Sequence, residues 1–206
     1  QIMTGKLQMS EMETLEIQRR YLEGIPLFIE EMNEATVTQM RNTAAAFKQK
    51  FGIALVIVDH LHYVKTSNPR LRGNEVIEYI AKGMKAMAKE LDIPVVALAH
   101  VNREMMKRDN KRPQIADLHG GSEIEKSADG ILFIHREEYW LELAEVPDGH
   151  KDRAQWMTDM DQARGKAEII LAKRRLRKGR GVYDCRFTAR CGRFDEPRDD
   201  ESDLFG

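Results

Sequence analysis

A chain of 206 residues with 33% charged and 42% hydrophobic side chains has the profile of one sizeable globular domain. Its two cysteines, Cys185 and Cys191, are too few for a disulfide framework. No apolar run approaches membrane-span length, and the first residues carry no signal-peptide core, so a soluble, cytoplasmic protein with no membrane partner is expected. Thirty-three Lys and Arg against 34 Asp and Glu give a formal net charge of −1, which neither announces nor excludes nucleic acid, but six of the eight residues over 173–180 are basic and a second basic cluster covers 103–112.

In chain order, Ser10 with Glu13 makes a capping box ahead of Met12, Leu15, Arg19 and Leu22, and Gly24 follows, which predicts a first helix and then a short strand over Pro26 to Ile29. Thr36 with Gln39 is a second capping box. Val37, Met40, Ala44, Phe47 and Phe51 follow at helical spacing, with Gly52 just beyond. Ile53 to Val58 is an unbroken apolar run ended by Asp59, the pattern of a strand covered on both faces in a mostly parallel sheet. Asn74 is a candidate N-cap for a helix whose apolar stripe is Val76, Ile80, Met84, Met87 and Leu91; Pro94 stops it and Val95 to Ala99 forms the next strand, ending at His100. Two strands joined by such a helix are parallel, which puts Asp59 and His100 on the same rim of one sheet, the rim where open α/β folds bind ligands.

Beyond the basic loop, Ser122 with Glu125 predicts a short helix preceded by Gly120 and Gly121, then a third strand over Ile131 to Ile134 ending at His135 and Arg136. Residues 137–164 are polar, contain Trp140 and Trp156, and read as a surface insertion. Glu168 to Ala172 and Val182 to Phe187 read as a β-hairpin turning at Gly179 and Gly181, and 196–206 is an acidic, mobile tail.

Each chemically suggestive residue has a plainer reading beside it. Asp59 suits a hydrated Mg²⁺ but also any strand end; His100 suits a core histidine bonded to the backbone. Asp59, His60 and His62 form a DHLH run that would start a metal cluster with His100 or His119 only if three or four ligands converge, and His60 and His62 are expected in a loop. Met84 and Met87 read as core. Trp140 and Trp156 anchor the insertion or stack on a base.

Taken in order, VIVD, PVVALAHVNR, RPQIADLHGGSEIEKSADGILFIHR and AEIILAKRR resemble the motor domain of DnaB-type replicative helicases, from about Thr4 to Phe194. The resemblance implies a RecA-like P-loop NTPase core over residues 1–195, using ATP and Mg²⁺ in a ring-shaped homo-hexamer that unwinds duplex DNA by moving on single-stranded DNA, with a primase or helicase loader as partner. By position it implies that Asp59 is the Walker B aspartate and metal ligand. His100 stands at the phosphate-sensor position usually held by Gln, and Lys173 and Arg175 at the finger pair that reaches a neighbouring subunit's nucleotide. It also implies DNA contacts from Arg103, Lys107, Arg108, Lys111 and Arg112 and from His119, Gly120, Gly121 and Ser122, the last four replacing the family's usual Arg-Glu-Ser-Gly. Glycines and free amides at a helix start can hold a phosphate.

The family's GxxxxGK[ST] loop does not occur in these residues, and Thr4-Gly5-Lys6-Leu7 does not replace it. The expectation is an N-terminally truncated motor domain whose 206 residues do not hydrolyse ATP alone. The alternative reading is a non-catalytic module that binds DNA or a partner.

Overall fold

The computed structural model of the protein describes residues 9–175 and 181–197. The Thr36 capping box forms as the sequence predicts: the Gln39 amide donates to the Thr36 hydroxyl, and the Gln39 side chain accepts from the Thr36 amide. It starts a helix, Val37–Phe51, which ends at Gly52 in the left-handed conformation (φ 66°). The preceding helix, α1 (Met9–Glu23), already contains Ser10, so that residue is not its cap. Residues 26–29 are not a strand, and none of the described residues pairs with them. Phe28 stacks on Phe51 instead, with ring centroids 4.3 Å apart.

The helix over Val37–Phe51, α2, leads into β1 (Val56–Val58), α3 (Asn74–Leu91) and β2 (Val95–Ala97), a β–helix–β unit whose strands pair in parallel with Val58 opposite Ala97. Gly73, not Asn74, occupies the N-cap of α3. Of the predicted α3 stripe, Ile80, Met84, Met87 and Leu91 are buried in the core, Met87 completely, while Val76 is only half-buried and Ile77 is buried beside it. A Cβ at Gly83 would come within 2.6 Å of a Val37 methyl, so the missing side chain lets α3 close on α2. The Lys48 ammonium donates to the Leu91 carbonyl and ties the ends of the two helices.

The apolar run ahead of Asp59 is covered on one face only among the described residues. Val58 is buried, whereas Ile57 is 62% exposed and Val96 on the neighbouring strand 51%. The expectation of a strand buried on both faces is corrected accordingly.

The rest of the sheet structure also departs from the mostly parallel arrangement expected. Strands β3 (Gly130–His135), β4 (Lys166–Arg174), β5 (Gly181–Thr188) and β6 (Arg193–Asp195) form a four-stranded sheet in that order, antiparallel throughout. The cause is the 137–164 segment: its two helices, α5 (Glu137–Leu143) and α6 (Arg153–Ala163), return the chain to the sheet end it left, so β4 runs back along β3 with His135 opposite Glu168. Trp156 anchors that segment by donating its indole N–H to the Leu141 carbonyl at 2.9 Å. The β4–β5 hairpin is longer than predicted, and β6 is an added strand. The predicted turn residue Gly179 and all but the first two residues of the acidic tail lie outside the described residues.

Candidate functional site

The carboxyl ends of β1 and β2 make a polar rim. Because the strands are parallel and in register, Asp59 directly after β1 and His100 three residues after β2 leave the sheet on the same side, as the β–helix–β reading requires. Asp59 is exposed, and its carboxylate makes no hydrogen bond or ion pair among the described residues. The ladder continues past the strands: the Leu98 amide donates to the Val58 carbonyl and the Leu61 amide to the Leu98 carbonyl, both at 2.9 Å. A 3-10 turn over Leu61–Tyr63 then seats Leu61 in the core and folds His60 and His62 back towards His100.

The ring centroids of His60 and His100 lie 3.9 Å apart, and those of His62 and His100 5.8 Å apart at only 13° between planes. One nitrogen of each of the three rings lies within 4.8 Å of the others. His119 joins from the next loop, 5.3 Å from the His62 ring; its carbonyl accepts from Nε2 of His62 at 3.3 Å, and its amide donates to the His100 carbonyl. Burial pushes the pKa of His62 down, because a charged imidazole loses hydration there. The Nδ1 atoms of His60 and His62 are buried and have no hydrogen-bond partner among the described residues. The convergence that the sequence left open is therefore present, and its one sequence signal was the His-x-His spacing directly after the strand.

Most cations of the basic loop bond within their own chain while staying at the surface. A 3-10 turn spans Arg103–Lys107, capped by Asn102. Lys107 pairs with Glu104 at 2.8 Å, and Arg108 with the buried Asp117 at 2.7 Å. Lys111 donates to the Met106 and Arg108 carbonyls, and Arg112 makes a two-pronged bond to Glu168, whose pKa it lowers. Of the five cations expected to touch DNA, only Arg103 is exposed without an ion pair among the described residues.

The glycine pair is likewise explained by packing. The short helix α4 (Gly121–Ser127) starts at Gly121 with Gly120 as its N-cap, so Ser122 is not the cap and its hydroxyl turns to Glu123. Gly120 has φ 73°, and a Cβ there would meet an Ile77 methyl at 2.7 Å; at Gly121 it would meet the Ile115 carbonyl at 2.4 Å. His119 is exposed beside them. The missing side chain at Gly120 lets the loop lie against α3, and that at Gly121 lets it lie against the Ile115 carbonyl.

Lys173 and Arg175 share a face of the β4 end, as alternate residues should. Lys173 donates to the Glu125 carbonyl, Arg175 to the Lys126 carbonyl at 2.9 Å, and Arg175 also pairs with Asp129 at 3.3 Å. Both cations thus meet the electronegative C-terminal end of α4. They sit at the end of a strand of the antiparallel sheet, whereas Asp59 and His100 follow the β1–β2 pair. Asp129, whose pKa is lowered mainly by its bond to Lys85, is a second anchor of this corner that sequence reasoning missed.

A parallel β–helix–β unit with an exposed carboxylate and a histidine on one rim, followed by an antiparallel sheet whose strand β4 ends in two cations, defines an α/β domain. Solved structures share its fold: one described as a DnaB-like replicative helicase and its interactions with primase superposes with a TM-score of 0.77 at 22% identity, covering 95% of this chain and 44% of that one. A second, an ATPase domain, gives 0.75 at 23% identity, over 91% of this chain and 61% of its own.

The chain belongs to the family described as the DnaB-like helicase C terminal domain, whose model matches residues 1–196. Replicative DNA helicase DnaB of Rickettsia typhi is 34% identical over 173 residues, covering 84% of this chain and 35% of that protein. The Haemophilus influenzae protein of the same name is 34% identical over 152 residues, covering 72% of this chain and 28% of its own length. The chain thus spans about a third of the curated relatives it matches.

Proposed function

We propose that this chain forms part of an ATP-dependent replicative DNA helicase, a RecA-like motor that assembles as a homo-hexameric ring and unwinds duplex DNA by moving along single-stranded DNA in the bacterial or phage-infected cytoplasm. The observation that carries this reading is the common rim of Asp59 and His100 on a parallel strand pair, in a chain of this family. The exposed Asp59 carboxylate, with no internal partner among the described residues, fits a hydrated Mg²⁺ held through water beside nucleotide phosphates. That ion, when bound, neutralises charge developing on the phosphoryl oxygens.

His100 is exposed and donates a hydrogen bond to the terminal phosphate from whichever ring nitrogen carries the proton. Lys173 and Arg175 act on the nucleotide of the adjoining subunit once they leave the α4 carbonyls, so their contacts with α4 are the resting arrangement. Arg103 offers the most available cation of its loop for a DNA phosphate. A primase or a helicase loader is the protein partner; one fold relative is described together with primase.

The test is Asp59→Asn in the full-length protein. ATP hydrolysis is expected to fall to background, while ring assembly measured by light scattering is kept. Turnover at the parental rate would remove Asp59 from the metal role.

A further inference from the structure

We propose that His60, His62 and His100 form a binding site for a divalent transition-metal ion of the Zn²⁺ class, with one coordination position left open. The three imidazoles come from two segments, the 3-10 turn after β1 and the end of β2, and one nitrogen of each lies within 4.8 Å of the other two. A tetrahedral ion with Zn–N bonds of about 2.0–2.1 Å needs nitrogens roughly 3.4 Å apart, so the rings have to draw together by about 1.4 Å at most. The exposed His100 ring has room to make that move.

Two further observations point to a ligand. The His119 carbonyl can only accept, so Nε2 of His62 carries the proton at that 3.3 Å contact and Nδ1 is left with a lone pair. This is how metal-bound histidines are usually fixed, with the far N–H given to a backbone carbonyl. In addition, Nδ1 of His62 and Nδ1 of His60 are buried without any partner among the described residues, a costly arrangement unless something accepts their lone pairs or donates to them. Three neutral nitrogen ligands with a free fourth position match the ligand count of open zinc sites, and imidazole nitrogen discriminates against Mg²⁺, which takes oxygen. The Mg²⁺ assigned to Asp59 and the ion proposed here are therefore different ions on one rim. An ion held by His100 would take that ring away from a nucleotide phosphate; this consequence rests on the reading of His100 as sensor, and the metal site itself does not.

The test is a Zn²⁺ titration of the full-length protein, without a polyhistidine tag, carrying Cys191→Ser so that the exposed thiol does not compete, in millimolar Mg²⁺ and with no nucleotide. Calorimetry and elemental analysis after dialysis are expected to give one Zn²⁺ per chain, and Co²⁺ in its place to give the visible absorption of tetrahedral nitrogen coordination. His62→Ala and His100→Gln should each weaken binding at least about tenfold, and His150→Ala on the insertion should leave it unchanged. His100→Gln alters an exposed ring, so it keeps the test valid if His62→Ala unfolds by circular dichroism. Absence of saturable binding, or one-to-one binding unchanged in both variants, would overturn the proposal. Because nucleotide is absent, such a failure leaves the hydrolysis reading where it was.

Discussion

The rim after β1 and β2 and the basic loop over 103–112 are both dense in chemically active side chains, yet they spend those side chains differently. On the rim, Asp59 has no internal partner among the described residues and the Nδ1 atoms of His60 and His62 are unpaired. In the loop, Arg108 is bonded to Asp117 through a terminal nitrogen, although its buried Nε has no partner among the described residues, Lys111 is bonded to backbone carbonyls and Arg112 to Glu168. A polar group already satisfied inside its own chain stabilises the fold, whereas one left unsatisfied at a surface keeps its bonding capacity for a ligand. Side-chain identity alone does not separate the two cases; the inventory of partners does.

That contrast can be broken experimentally, starting with the largest effect. If the rim acts on ligands and not on stability, the Asp59→Asn protein that has lost hydrolysis should melt within about 1 °C of the parent by calorimetry, as expected for a surface change of less than ~0.5 kcal/mol. A drop of many degrees would return Asp59 to the structural class. Arg175→Ala tests a residue with a foot in both classes. Homogeneous Arg175→Ala rings should lose about 10³–10⁵ in rate, the effect of a cation acting in trans, whereas mixing them with Asp59→Asn subunits should restore turnover at junctions where an intact Asp59 meets an intact Arg175; mixed rings as inactive as either variant alone would dismiss the finger assignment.

Smaller effects belong to the loop. Arg108→Ala leaves the buried Asp117 carboxylate with only the Gln114 amide among its described partners. Urea unfolding should register a loss of about 1–3 kcal/mol. Arg112→Ala should cost no more than ~1 kcal/mol, since Arg112 is half-exposed. Its sign with pH is fixed by Glu168, whose folded pKa lies below the ordinary value because of Arg112. The contribution is complete above the unfolded carboxyl pKa of about 4.3 and fades as pH falls through the folded one, so the gap between parent and variant should close in acid. A gap that widened in acid would contradict the pairing.

The parts of the molecule legible in the sequence are those governed by neighbours along the chain. The Thr36–Gln39 cap and the α3 stripe needed only local spacing, and Asp59 and His100 could be placed on one rim because a β–helix–β unit fixes both strand ends at once. What escaped depended on residues far apart. The partner of Arg112 is 56 positions away, and nothing near Ile131 announces that β3 will pair antiparallel with β4. Residues 26–29 have strand-forming composition but no strand to pair with, and the short capping pattern at Ser122 lost to the tighter glycine turn that lies against Ile77. The meeting of His60 and His62 with His100 was open for the same reason, since a single 3-10 turn decides where those rings point.

The bare side of the β1–β2 pair has a practical corollary. Ile57 and its cross-strand partner Val96 expose apolar side chains to water, as do Leu55 and Leu98 just outside the two short strands. Patches of that kind drive sticking between copies. Purified by itself, this polypeptide is expected to be soluble chiefly at low concentration or in mild detergent, and dilution-dependent light scattering would be the first thing to record on the bench.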